Sequence, residues 1–200
     1  MNLSDSATIR SFHHNAIAKY GPGTIDALGW ISADSQSARF EALCRMANFY
    51  GHNILDIGCG HGDLRSYIGN TCAVFNYTGI EQIPEILEIA VQRHAHLPDT
   101  GFIEGDFSEA ELPAADYILA SGVFNYRSSD PLYVYNMIER LFYHCRLGFA
   151  FNLLSRLKYP DDAIAAYNPA DITTFCRRLT NKVQVIDGYW EDDFTVLMYH

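Results

Sequence analysis

Four residues with chemical potential, Asp56, Gly58, Gly60 and Gly62, fall within one short run: Ile54-Leu55-Asp56-Ile57-Gly58-Cys59-Gly60-His61-Gly62-Asp63-Leu64. Glycines let a ligand approach the backbone because no Cβ stands in the way. In an open α/β sheet such a turn lies at the carboxyl end of a strand, where ligands bind. The dinucleotide fingerprint has the spacing Gly-x-Gly-x-x-Gly and rests a pyrophosphate on a helix N-terminus. Here the spacing is Gly-x-Gly-x-Gly, Asp56 precedes it, and Asp63 stands where the third fingerprint glycine belongs. An acid beside the loop repels a pyrophosphate and can accept from a cationic ligand. Spacing and charge together therefore point away from a nicotinamide cofactor. Cys59, between two of the glycines, reads as a packing residue.

Two further acids follow. Glu81 ends an apolar run 19 residues beyond Gly62, a place from which a carboxylate can take two hydrogen bonds from a ribose diol. Gln82 and Ile83 come directly after it. Asp106, in Glu104-Gly105-Asp106-Phe107, is placed to receive an exocyclic amine, with Phe107 or Ile83 against a purine face. Its structural alternative is to cap a short helix over residues 107–112. His13, His14, His61 and His144 are the candidate general bases, with Asn125 and Tyr126 as positioning groups. His94 and His96 fall late on a helix, away from the ligand end of a sheet, and Arg177-Arg178 reads as a solvated helix face. The segment 155–169, with Tyr159, Pro160 and Tyr167, reads as a substrate wall.

Short apolar runs and helical patterns alternate along the chain and must position these groups. Strands are expected over residues 52–56, 72–80, 101–104, 116–120 and 147–154. Between them, helices are expected over 64–68, 85–96 and 131–144, with Pro84 where a first helical turn tolerates it. Strands apolar on both faces and alternating with helices indicate a parallel sheet covered on both sides. A last helix at 171–179 precedes two strands, 182–187 and 194–199, close enough to pair antiparallel. Two helical segments, 6–20 and 36–50, stand before the first strand, joined by the Gly-rich, Trp-containing loop 21–34. The expected organisation is one domain over residues 1–200, with 1–50 as a helical cap and 51–200 as the core.

Composition sets the outer limits. With 48% hydrophobic and 19% charged residues, a chain of 200 residues can bury a proper core. Lys plus Arg number 14 against 24 for Asp plus Glu, a formal net charge of -10. A protein that tracks phosphate backbones usually has the opposite sign, so a nucleic-acid partner is disfavoured. Apolar runs fall far short of the roughly 20 residues that span a bilayer. The polar start, Met1 to Arg10, contains no apolar stretch, so a cytoplasmic location is expected. Five widely spaced cysteines without a Cys-x-x-Cys pair argue against a disulfide framework and a structural zinc site.

The order of these motifs resembles the class I S-adenosylmethionine-dependent methyltransferases over roughly residues 53–199. Asp56 through Gly62 match the family's glycine-rich first motif, Glu81 its ribose-binding acid, and Asp106-Phe107 the segment that borders the adenine. Ser121-Gly122-Val123 follows the fourth strand where cofactor and substrate meet. The resemblance implies a doubly wound, seven-stranded, mostly parallel sheet with an antiparallel last strand, a Rossmann-like α/β fold with helices on both faces. It implies S-adenosylmethionine as donor, S-adenosylhomocysteine as product, and no metal. Upstream, Leu28-Gly29-Trp30, Ser35-Gln36-Ser37 and Arg39-Phe40 are similar to small bacterial methyltransferases associated with surface-polysaccharide biosynthesis. Gly148 to Asn152, and Gly188-Tyr189 with Asp193-Phe194-Thr195, are similar to that group too. On this likeness Trp30, Gln36 and Arg39 border the substrate or the cofactor's carboxylate. The family's amine-directed motif with paired prolines is replaced by Ser121 through Tyr126, which favours O- over N-methylation of a small molecule or glycan precursor. The alternatives are an RNA or protein methyltransferase, which an exposed cluster of Arg127, Arg140, Arg146 and Arg156 would support, and a non-catalytic cofactor-binding subunit.

Overall fold

Apolar, β-branched and aromatic runs become the strands, and where each begins depends on its partner as well as on its own sequence. The computed structural model describes residues 3–157 and 163–200. Inside its sheet, Asn53–Ile57 (β1) is flanked by Asn76–Glu81 (β2) and Ala115–Ala120 (β4). Thr100–Glu104 (β3) lies outside β2. On the other side follow Cys145–Leu154 (β5), Asp193–Tyr199 (β7) and Val183–Asp187 (β6), giving the order β3-β2-β1-β4-β5-β7-β6. β7 pairs antiparallel with both β5 and β6, and the remaining pairs are parallel. The antiparallel strand is therefore interior and β6 forms the edge.

Among the described residues the α-helices are Leu3–Tyr20 (α1), Ala33–Cys44 (α2), Asp63–Gly69 (α3), Pro84–His94 (α4), Tyr133–His144 (α5) and Pro169–Leu179 (α6). Alternate strand residues face opposite sides, because the side-chain period of a strand is two. Ile54, Leu119, Ala150 and Leu197 meet Phe40 and Leu43 of α2 and Leu64 and Ile68 of α3. Ile118, Phe149, Phe151 and Val196 meet Ile138 and Phe142 of α5 and Ile172 of α6. Each fully buried side chain of this kind contributes about 1.5–3 kcal/mol.

Local chemistry explains where the helices start. Ser32 and Ser35 form a reciprocal capping box on α2, with backbone-to-hydroxyl distances of 3.1 and 3.3 Å. Pro84 opens α4, and Asn168 caps α6 by accepting from the Ala170 amide at 2.8 Å. Most expected boundaries shift by one to three residues, and three change more. α2 stops at Cys44 instead of running to residue 50, because Met46 and Phe49 turn into the core. β2 begins at Asn76, opposite Asn53, because residues 72–75 have no strand beside them to pair with. The expected helix at 107–112 is a single turn: Glu109 and Ala110 both donate to the Asp106 carbonyl, and the chain then drops Leu112 into the core.

Candidate functional site

The strand ends converge on a cavity of about 420 Å³, within the roughly 300–1,000 Å³ usual for small-molecule sites. Its floor is the turn after β1. Gly58 and Cys59 donate their amides to the Ile80 carbonyl at 2.9 and 3.0 Å, clamping the turn to β2. Gly58 has φ +66°, and a Cβ there would lie 2.8 Å from Val123 Cγ2. Left-handed backbone costs an L-residue about 1–2 kcal/mol before any clash. Gly58→Ala is therefore expected to lower stability by about 2 kcal/mol or more, read as a fall in the urea midpoint; a loss below about 0.5 kcal/mol would mean the turn relaxes freely.

Glu81, at the end of β2, fastens the same turn. Its Oε2 accepts from the Gly60 amide at 3.2 Å, and its Oε1 accepts from Gln82 and Ile83 at 2.8 and 2.9 Å. Behind the turn, Asp56 accepts from the Tyr77 hydroxyl. Burial pushes the Asp56 carboxyl up to about 7, against the Tyr77 hydrogen bond and helped by Glu81 and Asp63. Burial also raises Glu81, opposed by its three backbone donors. Two buried acids thus share one wall of the cavity, and among the described residues neither is paired with a cation, which suits a positively charged ligand. Gln82 lines the cavity too, and its buried Oε1 has no hydrogen-bond partner among the described residues.

The far wall comes from the N-terminal segment and the start of β7. Arg39 on α2 makes a bidentate pair with Asp193, both contacts 2.7 Å, and its guanidinium lies 4.8 Å from the centre of the Trp30 ring. Ser121 donates to Asn152 at 3.1 Å, and Asn152 in turn meets Thr195 and Tyr189. Asn125 accepts from the Leu154 amide at 2.9 Å. From α1, His13 lies between the Ala27 carbonyl at 2.9 Å and the Tyr126 hydroxyl at 2.8 Å. Asp56, Gly58, Cys59, Gly60, Glu81, Gln82, Ser121 and the pair His13–Tyr126 are thus brought to one cavity, together with Trp30, Gln36, Arg39 and Asn125.

Other candidates lie elsewhere. His61 is buried with Nε2 donating to the Pro22 carbonyl at 2.7 Å, which pins the loop before α2 to the glycine turn. His14 faces solvent opposite Glu85 at 3.6 Å. His144 closes α5 and donates to Pro113; β5 starts at the next residue, so His144 belongs to the opposite end of the sheet from the cavity. Gly62 faces α4, where a Cβ would come within 2.9 Å of His94. Ile83 and Phe107 are core residues outside the cavity lining, and Ile86, one turn into α4, lines it instead. Asp106 also lies outside the lining, receiving the Ser108 amide at 2.8 Å and the Ser6 hydroxyl at 3.4 Å. Gln36 lines the cavity but spends its amide on Asp63 at 3.1 Å.

Of the expected substrate wall, Tyr159 and Pro160 fall outside the described residues, and Tyr167 is not among the lining; Leu157 and Ile164 are. The four arginines do not form one surface. Arg146 pairs with Asp116 where β4 and β5 begin, Arg140 donates to the Phe107 and Ala110 carbonyls, Arg127 to Ile164, and Arg156 to Asp192. Among the described residues no His, Cys, Asp and Glu cluster could hold a metal, and no helix is long and apolar enough to cross a membrane. Sequence reasoning missed Ile9, Phe12, Leu28, Trp190 and Asp193 as lining residues. The segments around Asn152 and Asp193 had carried a likeness to the polysaccharide-associated group, and that was their only signal.

A family model described as a methyltransferase domain matches residues 55–145. A protein of Mycobacterium tuberculosis named as a methyltransferase, Rv1506c, is 32% identical over 156 residues, covering 73% of this chain and 92% of that protein. The fatty-acid O-methyltransferase of Mycolicibacterium smegmatis is 27% identical over 90 residues, which is 45% of this chain and 31% of that protein. In fold, the chain is similar to magnesium protoporphyrin IX methyltransferase of Synechocystis PCC 6803 with bound SAM. The TM-score is 0.71 at 15% identity, over 100% of this chain and 99% of that one.

Proposed function

The chain belongs to the class I S-adenosylmethionine-dependent methyltransferases, and from that premise we propose that it methylates a hydroxyl on a small molecule. The observation that carries the reading is one cavity with both acidic and apolar lining. The acids Asp56 and Glu81 stand beside the glycine turn, where Leu28 packs over Gly60, and Phe12, Trp30, Leu157, Ile164 and Trp190 add a mostly apolar surface. Glu81 would take ribose hydroxyls, Gln82 would use its unpartnered Oε1, and Asp56 would sit nearest the cationic end. Asp106 would face the adenine side. Bound there, S-adenosylmethionine supplies a methyl group on a positively charged sulfur.

The apolar surface favours an acceptor with a hydrophobic body, and likeness to a fatty-acid O-methyltransferase agrees. A glycan precursor is the second reading, favoured by the broad faces of Trp30 and Trp190. The net charge of -10 and the dispersed arginines weigh against RNA. The protein acts in the cytoplasm on this reading, with residues 1–50 capping the core.

Thermal shift tests the cofactor. S-adenosylhomocysteine at about 100 times its Kd should stabilise the protein by roughly 2.7 kcal/mol, whereas NAD and ATP should leave it unmoved. No shift with S-adenosylmethionine or S-adenosylhomocysteine at millimolar concentration sinks the reading.

A further inference from the structure

A hydroxyl is a poor nucleophile until its proton has somewhere to go, and the cavity contains one arrangement built to take it. His13 is held at both ring nitrogens, Nδ1 by the Ala27 carbonyl and Nε2 by the Tyr126 hydroxyl. A carbonyl can only accept, so Nδ1 carries the hydrogen and Nε2 offers its lone pair to the Tyr126 O–H. Phe12 packs edge-on to both rings, at 5.3 and 6.0 Å between centroids, and Tyr126 is also fixed by a backbone bridge to Ile164. With its hydrogen committed to His13, the Tyr126 oxygen keeps acceptor capacity beside the cavity.

Building on the methyl-transfer reading of this site, we propose that Tyr126 and His13 form a proton relay for a hydroxyl acceptor. The acceptor oxygen bonds the methyl carbon as the carbon–sulfur bond breaks, its electron pair remaining on sulfur. The acceptor's proton passes to Tyr126 Oη while Tyr126 passes its own proton to His13 Nε2. The resulting imidazolium later releases that proton to solvent. The surroundings fit this direction of transfer. Burial lowers His13, with the Ala27 carbonyl opposing and neighbouring His14 adding to the lowering, so the ring starts neutral and ready to accept. Burial and the Glu81 charge keep the Tyr126 phenol protonated, as a relay requires.

Nuclear magnetic resonance of the full chain with isotope-labelled histidine, saturated with S-adenosylhomocysteine near neutral pH, tests the arrangement. His13 should show hydrogen on Nδ1 and a bare Nε2, and Tyr126→Phe, which keeps the ring and its packing, should move the Nε2 resonance. A hydrogen on Nε2, or an Nε2 resonance indifferent to Tyr126→Phe, overturns the pair. Transfer to two phenols at mildly alkaline pH tests its role: para-cresol must lose a proton, whereas para-nitrophenol is already largely ionised there. Tyr126→Phe and His13→Gln should each slow turnover of para-cresol by about 100-fold and leave para-nitrophenol nearly unchanged. Equal losses on both phenols reduce the residues to packing and overturn the relay. If the wild type binds S-adenosylhomocysteine yet methylates neither phenol, the relay falls while the cofactor reading stands; absence of binding removes that reading itself.

Discussion

Glu81→Gln is expected to weaken S-adenosylhomocysteine binding by about 100-fold while the chain still folds. The carboxylate has about four acceptor sites, and three backbone amides, those of Gly60, Gln82 and Ile83, already use them. One ribose hydroxyl can join without loss; a second would displace the Gly60 amide, the longest of the three. Glutamine brings one acceptor oxygen and an NH₂ that must face another N–H. A hydrogen bond to a charged group is worth about 1.5–3 kcal/mol, and each 1.4 kcal/mol is tenfold in affinity. Folding stability should change far less than affinity. Burial already raises the Glu81 carboxyl, so removing the buried charge offsets part of the lost clamp. Calorimetric titration separates the two effects, and affinity within about threefold of wild type would remove Glu81 from the ribose.

Arg39→Ala should cost about 3–5 kcal/mol, the usual result of leaving one member of a buried ion pair alone. At this chain length that is a fall in Tm of roughly 10 °C. The Asp193 side chain is fully buried and receives both of its arginine contacts at 2.7 Å. Burial raises its carboxyl pKa, and the Arg39 hydrogen bonds oppose that rise. Without Arg39 the group must bury a charge or take a proton. Arg39→Met combined with Asp193→Leu should recover most of the loss, because apolar replacements of similar volume often match such pairs. Scanning calorimetry of the two single variants and the double decides. A double variant as unstable as Arg39→Ala would show that the pair contributes something its apolar replacement cannot.

Much of the scaffold was legible in the residues. Alternating apolar strands and amphipathic helices announced a parallel sheet covered on both faces, and Gly58 through Gly62 with Asp56 and Glu81 marked its ligand end. Strand starts were less legible, since β2 begins where β1 offers it a partner and not where its own apolar run begins. Single histidines were the least legible. His13, His61 and His144 look alike in sequence, yet one lines the cavity, one pins a loop and one closes a helix at the other end of the sheet.

The sequence alone determined what local rules control: a glycine turn after a strand, an acid at the next strand's end, and Pro84 in the first turn of a helix. Only the tertiary structure decided what meets across the site. Because β7 runs antiparallel, its first residue, Asp193, reaches the end of the sheet where the parallel strands finish, and there it finds Arg39 from 154 positions earlier. α1 likewise carries His13 to Tyr126 over a separation of 113. No periodicity or spacing encodes such pairings, because they depend on how whole elements pack and on which buried polar groups must find partners.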